Sequence, residues 1–218
     1  MKLPLAQSPL ESLLSEQGPQ WIQRGIGRAV DRFSSSEPTA LRMTDCSVLH
    51  RVGYKGAESL FFLEACGVSV PEHPNTALEL PNGALVVRLS QTEYWLLDAL
   101  DADTALIPNV VAQDSAYEGR SYRLERNHTH ACFLLQGARS ATALSKVCGV
   151  DLRPEHFDHL QVAQTSVAKL NAVVVRYDRA QLGYYILCDA AAAEFMWRSL
   201  LDAMSEFGGG PAGLADLI

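Results

Sequence analysis

Beyond residue 41 the apolar positions come in short runs bounded by turn-forming residues, the pattern of strands alternating with short helices. Arg42 to Tyr54 is strand-like. Ala57 to Cys66 reads as a helix with Leu60, Phe61 and Leu63 apolar, and Gly67 stands where a helix end favours a residue tolerant of the left-handed conformation. Gly83 to Leu89 and Tyr94 to Leu97 read as two further strands, joined by the turn-like Ser90-Gln91-Thr92-Glu93. Asp98 to Asp103 offers caps for a helix that Pro108 would limit or divide. The same order then returns. His130 to Gln136 is a strand, Arg139 to Val147 a helix ending at Cys148-Gly149, Val173 to Arg176 and Tyr184 to Cys188 a strand pair, and Ala190 to Met204 a helix.

The repetition extends to particular residues. Cys66-Gly67-Val68 with Pro71-Glu72-His73 is matched by Cys148-Gly149-Val150 with Pro154-Glu155-His156, Gly56-Ala57 by Gly137-Ala138, and Val86-Val87-Arg88 by Val174-Val175-Arg176. Tyr94-Trp95 matches Tyr184-Tyr185, and Asp98-Ala99 matches Asp189-Ala190. The separation widens steadily along the chain, as loop insertions in the second copy would produce. Two copies are too few for a solenoid, so they must share one core. The sequence therefore predicts an α+β domain of two β-α-β-β(-α) units, with antiparallel or mixed sheets, outer helices and pseudo-twofold symmetry. Copy one is placed over 41–118, copy two over 119–207, and 208–218 is expected to be a flexible tail.

Residues 1–40 form a leader without a counterpart in the second copy. It holds a short amphipathic segment around Leu10, Leu13 and Leu14, a Gly18-Pro19 break, and Trp21, Ile22, Ile26, Val30 and Phe33 at approximately helical spacing. Gly25 and Gly27 weaken that helix by about 1 kcal/mol each relative to alanine. The run Ser34-Ser35-Ser36-Glu37-Pro38 ends it. Leu13, Trp21 and Ile22 are the residues expected to contact a partner, with packing onto the chain's own core as the alternative.

Composition narrows the field. A formal charge of -7 on 218 residues argues against nucleic acid or anionic lipid as a partner. The five cysteines, Cys46, Cys66, Cys132, Cys148 and Cys188, are dispersed in apolar stretches with no C-x-x-C pair, which fits buried thiols in a reducing compartment. The first residues show no apolar signal region, and no uncharged run reaches the roughly 18 residues of a membrane span. A cytoplasmic chain is expected.

Candidate chemistry is sparse. His128-x-His130 could put two imidazoles on one face of a strand, but no third ligand stands at suggestive spacing, so two strand-end histidines are the preferred reading. His156 and His159 flank Asp158 in a proline-led loop, where solvated side chains are expected. Gly25-Ile26-Gly27 lacks the third glycine and preceding strand of a dinucleotide fingerprint. Tyr94 and Trp95 could stack on a pteridine ring, although aromatics are common on buried strands. Neither a triad, a carboxylate pair nor a metal set stands out.

These residues resemble the gamma subunit family of heterotetrameric sarcosine oxidase, a relative of the folate-binding domain of the glycine-cleavage T-protein. The resemblance runs through Ser8-Pro9-Leu10-Glu11-Ser12-Leu13, Gly83-Ala84-Leu85-Val86-Val87-Arg88-Leu89 and Glu93-Tyr94-Trp95-Leu96-Leu97. It continues in Cys148-Gly149-Val150-Asp151-Leu152-Arg153-Pro154, Ala163-Gln164-Thr165, Val173-Val174-Val175-Arg176 and Phe195-Met196-Trp197-Arg198-Ser199-Leu200-Leu201-Asp202-Ala203. It implies an aminomethyltransferase-like fold and a subunit without a cofactor or metal of its own. Its partners would be a large alpha, a flavin-bearing beta and a small delta subunit, which would carry FAD, FMN, NAD and tetrahydrofolate. T-proteins place an acidic residue just after a Gly-Gly-Val-type strand entry. Here Asn82-Gly83-Ala84-Leu85 leads to Val86 and Val87, which cannot take a proton, so no catalytic residue is expected. The alternative is a stand-alone tetrahydrofolate-binding protein or one-carbon transferase using Tyr94 and Trp95.

Overall fold

The computed structural model describes residues 5–34 and 39–217. A short helix α1 (Glu11–Ser15) and a hairpin of β1 (Pro19–Arg24) and β2 (Gly27–Phe33) precede the first copy. That copy runs β3 (Arg42–Asp45), β4 (Arg51–Lys55), α2 (Ser59–Ala65), β5 (Thr76–Glu79), β6 (Leu85–Arg88), β7 (Glu93–Leu97) and α3 (Leu106–Gln113). The second repeats the order as β8 (Tyr122–Glu125), β9 (His130–Gln136), α4 (Ser140–Leu144), β10 (Val162–Val167), β11 (Leu170–Arg176), β12 (Gly183–Asp189) and α5 (Ala193–Ser205), with β13 (Gly210–Pro211) after it.

Two sheets result, one ordered β5-β6-β7-β4-β8 and the other β10-β11-β12-β9-β3-β13. Each copy lends its first strand to the other: β3 pairs with β9, and β8 pairs with β4. The copies are interlocked around one body. Successive side chains alternate between faces, so each strand feeds two cores. On β7, Tyr94 and Leu96 pack with Phe62, Leu63 and Ile107 beneath α2 and α3, while Trp95 and Leu97 join Leu134, Val175, Tyr185 and Leu187 between the sheets. On β9, Phe133 and Leu135 turn to Met196 and Trp197 of α5. The layers run helix, sheet, sheet, helix. Large side chains buried this fully contribute about 1.5–3 kcal/mol each.

The pseudo-twofold axis is written in the backbone. Asn75 and Leu160 occupy matching positions and both adopt positive φ, 59° and 64°. The Asn75 N–H donates to the Arg88 carbonyl at 2.7 Å, and the Leu160 N–H to the Arg176 carbonyl at 2.9 Å. Across the axis the Ala77 N–H reaches Leu160 O at 2.7 Å and the Val162 N–H reaches Asn75 O at 2.9 Å, with Thr76 opposite Gln161. Gly67 has φ 75°, and the Gly67 and Val68 N–H groups bond Glu64 O and Leu63 O, a Schellman end to α2. Gly149, its sequence match, is not left-handed, and Cys148 there bridges to Val167 instead.

Several expectations are corrected. Residues 21–33 form a hairpin rather than a helix, because Gly25 turns at φ 51° and Trp21 pairs with Val30, Ile22 with Ala29. A Cβ on Gly25 would lie 2.2 Å from Val48 O, so the tight turn against the domain requires glycine. Arg42 to Tyr54 is not one strand but two, separated at residues 46–50 and belonging to different sheets. In place of the flexible tail expected over 208–218, β13 runs parallel to β3, and Leu214 and Leu217 are buried between the sheets. Strands β5, β8 and β10 have no counterpart in the sequence reading. Residues 35–38 of the expected leader terminator, and Met1 to Pro4, lie outside the described residues.

Where the first strands cross between the copies, the guanidinium of Arg51 is buried. Its Nη1 donates to Cys46 O and Leu49 O, both at 3.0 Å, and its Nη2 to Ser47 O and His130 O, both at 2.9 Å. Longer bonds reach Asn127 O at 3.3 Å and Arg126 O at 3.4 Å. The Asn127 side chain closes the junction by accepting the Arg51 N–H at 2.7 Å. Buried Asp45 accepts the Ser47 N–H of the same turn at 2.9 Å and the hydroxyl of Ser8 from the N-terminal segment; burial raises its pKa, opposed by those bonds and by Arg51. Arg51→Met would leave several buried carbonyls without donors, each costing about 1–3 kcal/mol. Urea unfolding should show a loss of about 3 kcal/mol or more, only partly recovered in Arg51→Lys; a variant within about 1 kcal/mol of the parent would contradict this role.

Candidate functional site

The repeated motifs of the sequence meet at two equivalent arginines. Arg88 ends β6 and donates through Nη1 to Pro71 O at 3.0 Å and Glu72 O at 2.6 Å. Arg176 ends β11 and donates through Nη1 to Pro154 O at 3.1 Å and to Phe157 O. Each Pro-Glu-His loop is thus held by its backbone, while His73 and His156 remain exposed. Aromatic partners complete both clamps: Arg88 lies 5.3 Å from the Tyr94 ring, and the Tyr184 hydroxyl donates to Leu152 O. These motifs hold loops to sheets.

Tyr94 and Trp95 are not side by side on one face. Tyr94 is fully buried beneath the helices, with its hydroxyl donating to Gln91 O at 3.2 Å. Trp95 points between the sheets, its indole N–H donating to Glu93 at 3.0 Å, with Arg126 4.5 Å above the ring and His130 4.9 Å away edge-on. Glu93 also meets Lys55 at 2.8 Å; these bonds hold its pKa low against the opposing burial. Val86 and Val87 are both wholly buried, one in the outer core and one between the sheets, so neither backbone face of β6 offers a proton acceptor there.

The histidines are dispersed. His128 is exposed in the turn before β9, whereas His130 is half-buried with its pKa lowered to about 4 by desolvation and by the Arg126 and Arg51 charges. It is a neutral imidazole at pH 7, with Nδ1 2.8 Å from the Thr129 hydroxyl. His159 accepts the Asp178 N–H at 3.1 Å and stacks on Tyr177, and His156 lies 3.9 Å from Asp151. Among the described residues no group of three His, Cys, Asp or Glu could hold a metal ion. Desolvation raises the thiol pKa of Cys46, Cys132 and Cys188, that of Cys132 to about 12, which suppresses the thiolate needed for nucleophilic attack.

Among the described residues two of the concavities exceed 400 Å³. One, of about 430 Å³, lies on the inner face of the six-stranded sheet beside His130, Gln164, Thr165, Asn171, Val173 and Leu187. Gln164 is tied to Asn75 at 2.8 Å and to Leu89 O at 2.7 Å. The other, of about 840 Å³, lies between the end of α4, the Ala168-Lys169 turn and the outer face of α5, where Phe195 is exposed. Both present hydrogen-bonding and apolar surface without a nucleophile–base pair. Sequence reasoning missed Arg51, Arg126 and Gln164, each of which meets at least one partner remote in the chain. The leader residues lie as follows: Leu13 and Trp21 are half-buried against the chain's own core, and Ile22 is 41% exposed.

The GCVT N-terminal domain family matches residues 80–217. The chain is 24% identical to the aminomethyltransferase of Bacillus subtilis (strain 168) across 96% of its length, and spans only 62% of that protein. It is 28% identical to the sarcosine oxidase subunit gamma of Corynebacterium sp. (strain P-1), covering 68% of this chain and 70% of that one. Its fold matches a chain of the heterotetrameric sarcosine oxidase from Corynebacterium sp. U-96, with TM-score 0.71, 21% identity, and 94% of this chain and 97% of that chain covered. It also matches glycine cleavage system aminomethyltransferase T from Bartonella henselae, with TM-score 0.72, 15% identity, and 98% and 61% covered. The repeated α+β sandwich and a match over more than half of the sequence lead to one assignment: the chain belongs to the GCVT N-terminal domain family.

Proposed function

We propose that this chain is a non-catalytic, gamma-type subunit of a multisubunit sarcosine or related N-methyl amino-acid oxidase. The observation that carries the reading is that Val86 and Val87 are both buried at the strand entry where the T-protein resemblance implies an acid. Valine offers no group to polarise an amine, so the chain's contribution is structural. It would buttress a large alpha subunit beside a flavin-bearing beta and a small delta subunit, in the cytoplasm. FAD, FMN, NAD and tetrahydrofolate would sit on those chains. Similarity to the Corynebacterium gamma subunit across most of both proteins supports this. Among the described residues no helix is long and apolar enough to cross a membrane.

The stand-alone folate reading has less support, since a stacking platform at Tyr94 would require removing α2 and α3 from the sheet. Co-expression with the products of neighbouring genes should give a flavin-bearing heteromer on size exclusion. A chain that elutes alone beside every candidate subunit would refute the subunit role. Reduced folate at saturating concentration should leave the melting temperature of the isolated chain unchanged. A ligand at 100 times its Kd would add about 2.7 kcal/mol, so a clear upward shift would favour the folate alternative.

A further inference from the structure

The pseudo-twofold axis relates β3 to β8, and the two strands have unequal surroundings. On β3 the outer edge is filled: the Gly210 N–H donates to Leu41 O at 3.1 Å, the Ala212 N–H donates to Met43 O at 2.9 Å, and β13 runs parallel to it. Its residues are half-buried or buried throughout. On β8 the outer edge ends the five-stranded sheet, and Tyr122, Arg123 and Glu125 are exposed. The reason lies in connectivity. After α5 the chain continues outward and lays Gly210–Pro211 along β3, whereas after α3 it leads through residues 114–121 directly into β8, and among the described residues no strand pairs with its outer edge.

Register identifies the groups on that edge. Met43 pairs with Leu135 and Arg123 with Tyr54, and Tyr54 and Leu135 both stand two residues before the matching Gly56 and Gly137. Arg123 is therefore the twin of Met43, and Ser121 the twin of Leu41. In an extended strand a residue's N–H and C=O point to the same side. The Arg123 backbone thus faces outward, as Met43 faces β13. The Arg123 side chain is engaged with Asp114 at 3.1 Å, which leaves the backbone as the recognition element.

We propose that the outer edge of β8 receives a short extended segment of a partner subunit, running parallel to β8 and donating N–H groups to Ser121 O and Arg123 O as β13 does for β3. The inference rests on the subunit reading given above. Strand addition to an open edge uses main-chain bonds for affinity and side-chain fit for selectivity. The occupant is an extended, uncharged segment of a partner chain: its template Gly210–Pro211 has no charged side chain, and its proline is tolerated because every second N–H of an edge-adding strand faces away from the sheet.

Arg123→Pro tests this directly. Its ring replaces an outward N–H and crowds the edge, while the inner ladder to β4 keeps its bonds, so the domain should stay folded. Arg123→Ala removes the Asp114 ion pair but keeps the N–H. In co-expressed complex, Arg123→Pro should weaken retention of the partner at least tenfold and Arg123→Ala less than threefold. Amide hydrogen exchange at 121–125 of the unmodified chain should slow at least tenfold on assembly, a measurement that does not depend on a variant folding. Assembly by the parent with unchanged exchange there, or undiminished assembly by Arg123→Pro, overturns the edge proposal and leaves the subunit reading standing. Failure of the parent to assemble overturns both. A homodimer of the isolated chain that Arg123→Pro dissociates would assign the edge to a second copy and also overturn the proposal.

Discussion

The exchange of first strands is the constraint on which the rest depends, and Arg51 is the group that makes it possible. Where β3 leaves one sheet and β4 enters the other, the chain turns through Cys46 to His50 with the carbonyls of Cys46, Ser47 and Leu49 directed at Arg51. The approach of the second copy, from Arg126 to His130, brings three more carbonyls to the same point. Buried carbonyls need donors, and a planar guanidinium with several fixed N–H groups serves them from both copies at once. The pseudo-twofold relation is therefore closed by an element that is not itself repeated: the twin of Arg51 is Cys132, a small buried thiol. One large donor at the junction leaves no room for a second.

The same logic explains why the repeated motifs are structural. Arg88 and Arg176 each draw a proline-led loop onto the sheet end through carbonyl contacts, and Tyr94 and Tyr184 pack against those clamps. A motif that acts through backbone carbonyls needs its arginine and its loop geometry but not the loop's own side chains. This is why His73 and His156, conspicuous in the sequence, are exposed.

Those particulars also show what could be read from the chain. The duplication, the α+β class and the strand pairs at Val86-Val87-Arg88 and Val174-Val175-Arg176 were legible because dense apolar runs and matched glycines have local causes. The hairpin reads as a helix in the sequence because Trp21, Ile22, Ile26, Val30 and Phe33 fall at helical spacing, whereas the turn at Gly25 is fixed by contact with Val48, remote in sequence. Strands β8 and β10 were missed because their exposed faces carry Arg123, Glu125, Gln164 and Ser166, giving them little apolar signal. The cleft beside His130 was invisible for another reason. Gln164 meets Asn75 only after two sheets have stacked, and Trp95 meets Arg126 only after β8 has joined β4 beside β7.

Asymmetry laid over a symmetric scaffold then separates the two halves by purpose. Copy one is closed between the sheets by Ala29 of the hairpin, Leu100 after β7, and Leu214 and Leu217 of the C-terminal segment, all joining a single buried cluster with Leu85, Val87 and Leu97. The chain has filled the space beside β6 with its own aliphatic side chains, so the strand entry where the resemblance to T-proteins implied an acid is packed core. Copy two passes from β12 almost directly into α5 and lacks such covering, which leaves the inner face open beside His130 and Asn171. The open features are a sheet face, a sheet edge and a helix groove, the kinds of surface that the proposed subunit role would use.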